Sequence, residues 1–490
     1  MAKQRAVVIG GGIGGLTAAV ALHRDGWQVT VLERAPSLDP VGAGIALAPN
    51  AQRALDTVGL GDEIRSLAAW QGDGGLRTPG GRWLTRMNSE ALAARFGGPV
   101  VLLHRATLIE RLLSRLPAGT VRTGSPARLV DPGVAGGRPA RVAVPNDGRT
   151  GATGAGPESR PGTGPETEME AELVVGADGI HSAVRRALFP GHPGPHYSGF
   201  TTWRIIVSGV SGVSGVSGGS GGSGGSGVSG GSGADAFQPH ETWGAGRIWG
   251  SHLLKDGRVY AYAAAVAPQG ERADDERAEL LRRYGDWHDP IPRLLAAAAP
   301  DDVLRHDVHH MTDPLPAFHR GRTVLLGDAA HAMAPSLGQG GNQAVEDAVV
   351  LAHHCAGADP GAGLAAYTAD RLPRTTRIVH RAARVFRLQS LHSRPAVALR
   401  DGLMALTARL GPGAAVRAFD GIADWRPPRR TYAEPARTRA DGDSTRRLSE
   451  GRLHRSRRYR AEGVPPGPGH PARGRTASAD PQCRHPRPDR

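Results

Sequence analysis

The sequence predicts an α/β fold that carries an inserted β-rich domain and ends in a helical segment. The chain opens as a βαβ unit, with a short apolar strand at residues 6–9, a helical pattern at 14–25 and a second strand at 28–32. A glycine-rich turn joins the first strand to the helix, which is typical of Rossmann-type domains. Aromatic strand-like segments recur within residues 191–305, and the α/β pattern returns after Arg322.

The length and the changes in composition predict five segments. A chain of 490 residues exceeds what one compact domain usually holds. We predict a nucleotide-binding domain in two parts, at 1–190 and 306–385, on either side of the β-rich domain at 191–305. C-terminal helices follow at 386–425, and a tail rich in Arg and Pro occupies 426–490.

Two segments have compositions that do not support a packed core. Residues 208–233 contain 13 glycines separated mainly by serine, so we expect a flexible coil inside the β-rich domain. The tail contains 17 arginines against 7 acidic residues and has no apolar periodicity, which predicts disorder. Because most of the net charge of +14 lies in this tail, the protein as a whole is not predicted to bind nucleic acid. A contact of the basic run at 455–460 with nucleic acid or a membrane surface stays open as an alternative.

Cysteine usage and hydropathy indicate a soluble, cytoplasmic protein without an integral membrane segment. Cys355 and Cys483 are too few for a disulfide framework or a zinc site. The uncharged run at 6–22 is short and rich in glycine, which argues against a signal segment or a membrane span. The histidine pairs at 309–310 and 353–354 have no acid or cysteine at ligand spacing, so no metal is expected.

The turn after the first strand is a G-x-G-x-x-G motif. Gly10 permits the tight turn, Gly12 lets backbone N–H groups approach a pyrophosphate, and Gly15 lets the helix pack closely. Glu33 ends the second strand, where a carboxylate can accept hydrogen bonds from an adenosine ribose. The strand, the helix and the acid together predict a dinucleotide site. The residues expected to line it are Gly10, Gly12, Ile13, Gly14, Gly15 and Glu33.

Two further motifs follow short strands, GADG at 176–179 and GD at 327–328. In this order the three motifs resemble those of the single-component FAD-dependent aromatic hydroxylases, the flavoprotein monooxygenases related to p-hydroxybenzoate and salicylate hydroxylase. The segments at 42–64 and 104–112 support the resemblance, which covers residues 5–385. No second G-x-G-x-x-G follows a strand, and in this family NAD(P)H binds without a domain of its own.

The resemblance implies cofactors, partners and site residues. FAD would bind non-covalently, NAD(P)H would bind transiently as a co-substrate, and O₂ and a small aromatic molecule would be the other reactants. The residues that the resemblance assigns are Glu33 and Arg34 at the adenosine ribose, Arg105 near the FAD phosphates, Asp178 at both FAD and NAD(P)H, Asp328 at the ribityl and pyrophosphate groups, and Pro335 through Asn342 beside the isoalloxazine ring.

The helix that begins near Asn342 also has a physical reason to lie against the flavin. Free N–H groups and the positive end of the helix dipole at Gly340, Gly341 and Asn342 would stabilise the negative charge of reduced flavin. Glu346 and Asp347, which follow in the first turns, suit the same dipole and are interpreted as surface acids that stabilise the helix.

Arg204 follows a tryptophan in the β-rich domain, as in many relatives of the hydroxylases. Two interpretations stay open: it pairs with an acidic or phenolate oxygen of the substrate, or it has a structural role in its strand. His331 is interpreted as a packing histidine rather than a base. No side chain is predicted to act as a nucleophile.

These observations predict an FAD-dependent monooxygenase. It would use NAD(P)H and O₂ to hydroxylate an aromatic or polycyclic small molecule, or to epoxidise an alkene, through a flavin C4a-hydroperoxide. One alternative is another FAD oxidoreductase on the same scaffold, such as a halogenase or an isoprenoid reductase. The other is a flavin-binding protein whose catalysis is impaired by the 208–233 insert. The sequence leaves open the substrate, the choice between NADH and NADPH, and the oligomeric state.

Overall fold

The structure is a computed structural model that describes most of the chain before residue 429. The described residues are 4–38, 43–70, 73–145, 166–208, 238–356, 360–409, 416–417 and 419–428. They belong to the first of two compact units, Met1–Ala433, and the second unit, Glu434–Arg490, lies outside them. Most of the glycine-rich tract and nearly all of the Arg-rich tail also lie outside them, so the predictions for these segments stay predictions.

The described residues form strands and helices that we number in chain order. The strands are β1 (Arg5–Ile9), β2 (Gln28–Leu32), β3 (Gly44–Leu47), β4 (Ala69–Trp70), β5 (Gly74–Arg77), β6 (Trp83–Met87), β7 (Val101–His104), β8 (Val121–Arg122), β9 (Arg128–Asp131), β10 (Ala140–Pro145), β11 (Glu166–Ala171), β12 (Leu173–Gly176), β13 (His196–Val207), β14 (His240–Trp243), β15 (Arg247–Leu253), β16 (Val259–Val266), β17 (Leu304–His310), β18 (His319–Arg320) and β19 (Thr323–Leu325). The helices are α1 (Ile13–Arg24), α2 (Pro49–Thr57), α3 (Gly61–Leu67), α4 (Ser89–Phe96), α5 (Arg105–Leu113), α6 (Ala183–Leu188), α7 (Glu276–Tyr284), α8 (Ile291–Ala297), α9 (Asp328–His331), α10 (Gly340–His354), α11 (Pro360–Gln389) and α12 (Arg394–Ala408). Short 3₁₀ turns lie at Pro300–Asp302 and Pro335–Leu337.

A six-stranded sheet forms the centre of the nucleotide-binding part, with strand order β18-β19-β12-β1-β2-β8. β1 pairs in parallel with β2 and β12, and β12 pairs in parallel with β19. The residues of β1 after Arg5 are all buried, as expected of a parallel strand that is covered on both faces. The predicted α/β fold is confirmed. Because these strands are parallel, the carboxyl ends of β1, β12 and β19 lie at one edge of the sheet.

A seven-stranded sheet forms the β-rich part, with strand order β17-β13-β16-β15-β14-β5-β6. One face packs against α7 and α8 through side chains such as Trp203, Trp249 and Leu294. The opposite face contacts the small β3-β7-β4 sheet, where Tyr260 packs with Leu102 of β7. The sheet also includes β5 and β6, which lie in the chain before the β-rich domain predicted at 191–305.

Residues 50–67 carry an amphipathic helical pattern, and the structure divides them between two helices, α2 and α3. Gly59 lies between them with a φ of +74°, a left-handed conformation that ends the first helix. The spacing of the hydrophobic residues therefore indicates which face is buried, but it does not show that Gly59 separates the two helices.

Glu346 and Asp347 on α10 are fully buried, so their interpretation as surface acids is wrong. The guanidinium of Arg371 on α11 binds both carboxylates, with 2.6 Å from Nη1 to Glu346 Oε2 and 2.6 Å from Nε to Asp347 Oδ1. Nε2 of His331 lies 2.5 Å from Asp347 Oδ2, which agrees with a structural role for this buried histidine. Burial alone would raise the pKa of Asp347, but His331 and Arg371 hold it below its ordinary value.

Within the described ranges, no helix is long and apolar enough to cross a membrane. Those same ranges contain no group of three or more His, Cys, Asp or Glu side chains placed to hold a metal ion. Cys355 is a buried free thiol.

Candidate active site

The glycine turn between β1 and α1 is crowded at two positions and open at a third. Gly10 has a φ of +112°, and a Cβ there would overlap the carbonyl oxygen of Ala177. A Cβ at Gly15 would overlap the carbonyl oxygen of Gly10, so both glycines are required for close packing. Gly12, the N-cap of α1, has no atom within 4 Å of an added Cβ, and no side chain caps the helix. The helix therefore begins at an open space with free N–H groups.

Glu33 lies beside this turn, immediately after β2. Its Oε2 accepts a hydrogen bond from the N–H of Gly11 at 2.6 Å, and its Oε1 accepts one from the N–H of Ala35 at 2.8 Å. These bonds fix the carboxylate next to the glycine turn, as the sequence predicts. The neighbouring Arg34 is exposed.

Asp178 follows β12 and caps α6. Its Oδ1 accepts from Ser182 Oγ at 2.5 Å, and its Oδ2 accepts from the N–H of Ala183 at 2.7 Å. Arg185 of the same helix is buried and donates to the carbonyl oxygen of Ala329 at 3.0 Å, which ties α6 to α9. Asp178 thus fixes the start of α6, and Arg185 connects this helix to α9, which follows β19.

Arg105, Arg204 and Asp328 lie close enough together to interact electrostatically, although they come from different parts of the chain. Asp328 remains accessible to solvent although protein surrounds it, which places it on the wall of a cleft. The surrounding protein raises the pKa of its carboxyl, and the charges of His331, Arg105 and Arg204 oppose the rise. Burial and the nearby Arg204 lower the pKa of Arg105, and its buried Nε has no hydrogen-bond partner among the described residues. An unpaired cation in such a position favours an anionic ligand.

The N-terminus of α10 lies next to this cleft. The nearest atom to a Cβ added at Gly340 is Asp328 Oδ1, at 3.8 Å. Asn342 is buried and uses its side chain to anchor the helix: Oδ1 accepts from the N–H of Ala48 at 2.9 Å, and Nδ2 donates to the carbonyl oxygen of Ala46 at 3.0 Å. The helix start has no side-chain cap, so its first N–H groups are available to a ligand. The 3₁₀ turn that begins at Pro335 precedes it.

A row of four residues crosses the seven-stranded sheet from this cleft, and we call it the Arg204–Glu241 row. The strand register pairs Arg204 with Tyr262, Tyr262 with Gly250, and Gly250 with Glu241. The ring of Tyr262 lies over Gly250, where a Cβ would overlap it, and its hydroxyl donates to Glu241 Oε1 at 3.0 Å. Trp243 Nε1 donates to the other oxygen of Glu241 at 2.7 Å. Burial raises the pKa of the Glu241 carboxyl above its ordinary value.

Comparisons with known proteins identify the family. Residues 3–121 and 259–382 match the FAD binding domain family. An aurachin C monooxygenase/isomerase from Stigmatella aurantiaca is 35% identical over 403 residues, which are 82% of this chain and 93% of that protein. The chain belongs to the FAD-dependent monooxygenases. A second relative of this monooxygenase, a 3-amino-4-hydroxybenzoate 2-monooxygenase from Streptomyces cremeus, is 32% identical and covers 82% of this chain and 92% of its own length.

Solved structures share the fold of this FAD-dependent monooxygenase. Klebsiella pneumoniae HpxO in complex with FAD and uric acid has a TM-score of 0.69 at 25% identity, and the match covers 85% of this chain and 97% of that one. A salicylate hydroxylase substrate complex has a TM-score of 0.59 at 22% identity over 85% of this chain and 98% of that one. The predictions of the family, of FAD as cofactor and of aromatic hydroxylation as the kind of reaction are confirmed. NAD(P)H is the typical co-substrate of such hydroxylases.

Three members of the Arg204–Glu241 row are not predicted from the sequence: Glu241, Tyr262 and Gly250. Alternation along the strands would show that Tyr262 shares a face with Tyr260. Nothing in a single sequence shows which strands are neighbours, and the Tyr262–Glu241 bond depends on that register. Arg105 and Arg204, in contrast, are predicted individually, and the structure brings them together.

Replacing Glu33 with alanine should weaken FAD binding. The change removes a carboxylate at the expected ribose position and the bond that it accepts from the Gly11 N–H. A charge-assisted hydrogen bond contributes about 1.5–3 kcal/mol, so the dissociation constant of FAD should rise by roughly ten- to a hundredfold in a titration of the apoprotein. Glu168→Ala removes an acid from an exposed ion pair on β11 and is the control. Equal FAD affinity in the parent chain and Glu33→Ala would exclude this role.

Glu241→Gln should change how stability depends on pH. Burial raises the pKa of Glu241 in the folded protein, so the folded state holds this proton more tightly than the unfolded chain does. The protonated carboxyl therefore adds to the free energy of unfolding at low pH. That contribution is lost as the pH rises through the raised value. We therefore expect Glu241→Gln to gain in free energy of unfolding relative to the parent chain between acidic and neutral pH, measured by urea titration.

Glu279→Gln on α7 is the matched control for this pH experiment, with the opposite sign. A hydrogen bond from Arg282 lowers the pKa of Glu279 to about 2, so its contribution is present at neutral pH and lost on acidification. The Gln variant should therefore lose stability relative to the parent chain as the pH rises from acidic to neutral. Parallel pH curves for Glu241→Gln and the parent chain would contradict the assignment of Glu241.

Proposed function

We propose that this FAD-dependent monooxygenase hydroxylates a small aromatic molecule held in the cleft between its two large sheets. The single observation that carries the proposal is the convergence of Arg105 and Asp328, from the nucleotide-binding part, with Arg204 from the seven-stranded sheet. These three groups act electrostatically on one another although they belong to different parts of the chain. A site at which they meet can hold a cofactor against one wall and a substrate against the other.

The residues present fit FAD in shape and charge. The open space at Gly12 and the free start of α1 suit the pyrophosphate, and Glu33 suits the adenosine ribose. Ile13 and Gly14 complete the turn, and the unpartnered Nε of Arg105 suits a phosphate oxygen. When bound, FAD supplies the redox chemistry with NAD(P)H and O₂ that the side chains cannot supply.

The remaining cofactor positions are proposed at the edge of the six-stranded sheet and the start of α10. Asp328 would hold the ribityl part, and the turn from Pro335 to Gly338 would lie beside the isoalloxazine ring. The first N–H groups of α10, at Gly340 and Gly341, would donate to the negative charge of reduced flavin. Asp178 and Arg34 are proposed at the edge of the site, because Asp178 already caps α6 and Arg34 is exposed.

The Arg204–Glu241 row is proposed as the substrate wall. Arg204 provides a cation for an acidic or phenolate oxygen, while Tyr262 and Tyr260 provide aromatic surface. Streptomyces cremeus 3-amino-4-hydroxybenzoate 2-monooxygenase and the HpxO complex with uric acid point to electron-rich rings that carry acidic groups. The chain's own task is to orient such a ring and to exclude water from the reaction.

Arg204→Gln tests this function directly. Removing the cation should raise KM for an aromatic carboxylate or phenolate by about tenfold or more, since a hydrogen bond to a charged group contributes about 1.5–3 kcal/mol. FAD content should stay unchanged. The measurement is NAD(P)H oxidation and product formation over a series of substrate concentrations. Arg282→Gln on the exposed side of α7 is the control, and equal KM values for both variants would exclude Arg204 from the substrate wall.

The same proposal assigns a role to each part of the chain before residue 386. We propose that 1–190 and 306–385 together bind FAD, that 191–305 supplies the substrate wall, and that NAD(P)H and O₂ are the other reactants. The free thiol of Cys355 supports a cytoplasmic location, where thiols stay reduced.

A further inference from the structure

A second groove borders the apolar cluster that supports residues 334–338, the proposed flavin turn. Its volume is about 580 Å³, and it runs between the start of β13, the end of β17 and α11. Phe200 and Phe386 line it and belong to the same cluster as Ala334 and Leu337 of the flavin turn. Ser336 Oγ of that turn donates to the carbonyl oxygen of Ala382 at 2.7 Å, so the turn and the groove both border α11.

The groove is basic at its rim. Arg384 and Arg387 are exposed, lie one turn apart on α11 and form no ion pair with any described residue. None of the residues that line it is an aspartate or a glutamate. The full lining is His196, Tyr197, Ser198, Phe200, His310, Thr312, His380, Ala383, Arg384, Phe386, Arg387 and Ser390.

His310 supplies the groove with hydrogen-bonding capacity rather than with charge. The ring of His310 packs edge-on against His196 at a centroid distance of 4.6 Å. Burial lowers the pKa of His310 to about 4, so its ring is neutral at pH 7. Its Nδ1 is buried without a hydrogen-bond partner among the described residues. A buried polar atom of this kind is normally satisfied by water or a ligand.

We propose that this groove binds a phosphorylated adenosine, either the adenosine half of NAD(P)H or a free adenine nucleotide. Two neighbouring guanidinium groups match the geometry of a phosphate, and the half-buried ring of Tyr197 and the exposed rings of His196 and His380 offer flat aromatic surface to a purine. The volume lies within the range of about 300–1,000 Å³ that small-molecule sites occupy. The choice of adenosine rests on the proposed function, because NAD(P)H is the phosphate-bearing aromatic molecule that the reaction consumes.

The test is a calorimetric titration of the FAD-loaded full chain. The probe is 2′-phospho-ADP-ribose, which is NADPH without its nicotinamide, and ADP-ribose is compared with it. The variant is Arg384→Gln/Arg387→Gln, which changes only exposed side chains and should leave folding intact. Arg394→Gln/Arg409→Gln makes the same change on the exposed surface of α12. We expect the groove variant to bind at least about tenfold more weakly than the control variant.

The kinetic arm distinguishes the two sources of the ligand. If the groove holds the co-substrate, the groove variant should also show a raised KM for NADPH with kcat nearly unchanged. If it holds a free nucleotide, the probe affinity falls while KM for NADPH stays the same. Equal probe affinity in the two variants, or no saturable binding by the parent chain, overturns the proposal. The calorimetric result does not depend on hydroxylation, so failure of the proposed function would be seen separately.

Discussion

Gly340→Val should lower coupled hydroxylation by about a hundredfold or more while the protein stays folded. Electrostatic stabilisation of a developing charge by a preorganised donor contributes about 2.7–4 kcal/mol, and a bulky side chain at the start of α10 would push the flavin away from these donors. The structure shows why the variant reports on the ligand. The nearest atom to a Cβ at Gly340 is Asp328 Oδ1, 3.8 Å away, so the described residues leave ordinary van der Waals room for a Cβ there.

The measurement for Gly340→Val is the flavin reduction rate and product yield in stopped flow, together with the melting temperature. FAD affinity should fall moderately and the melting temperature of the apoprotein little. Gly402→Val on α12 is the control, because a Cβ there meets no atom of the described residues within 4 Å. If turnover and melting temperature decline together, the glycine only shapes the start of the helix. A stable, FAD-loaded variant with parent rates would place the flavin elsewhere.

Arg371→Met should cost about 3–5 kcal/mol in free energy of unfolding, the largest stability effect expected in the chain. The change leaves Glu346 and Asp347 buried without their shared cation. Arg374 still binds Glu346 with Nε at 2.8 Å, but Asp347 keeps only His331 and the N–H of Gly327.

Arg371→Met should also affect the proposed FAD site. Gly327 precedes Asp328, and α10 carries the proposed flavin donors, so loosening this network should also reduce FAD retention. Urea titration measures the stability, and Arg128→Met, which breaks an exposed ion pair with Glu166, should change it little. A loss below about 1 kcal/mol for Arg371→Met would mean that the network contributes no more than a surface pair.

The nucleotide-binding part is predicted well from the sequence because its signals are local. A short apolar strand, a glycine turn and a helix occur within 30 residues, and each is confirmed at nearly its predicted bounds. Gly10 and Gly15 are required by contacts that the G-x-G-x-x-G spacing already implies. Glu33 lies beside the turn for the same reason.

The second sheet and the buried acids could not be predicted, because they depend on partners distant in the chain. β5 and β6 are short and contain glycine and arginine, so no alternation assigns them to a sheet built mainly from residues 196–310. The sequence alone suggests that Glu346 and Asp347 are surface acids that stabilise the helix dipole. Their actual partner is Arg371, which follows them by 25 and 24 residues and binds both carboxylates in the buried core. The register that joins Tyr262 to Glu241 has no local signal either.

Oxygen incorporation tests the central claim most directly. The FAD-loaded chain is supplied with NAD(P)H, ¹⁸O₂ and a panel of phenols, hydroxybenzoates and aminobenzoates, and products are analysed by mass spectrometry. We predict a product that carries one ¹⁸O atom, with the yield matched to NAD(P)H consumed and reduced in Arg204→Gln. NAD(P)H oxidation that releases only hydrogen peroxide with every aromatic compound, or ¹⁸O incorporation unaffected by Arg204→Gln, would contradict the account.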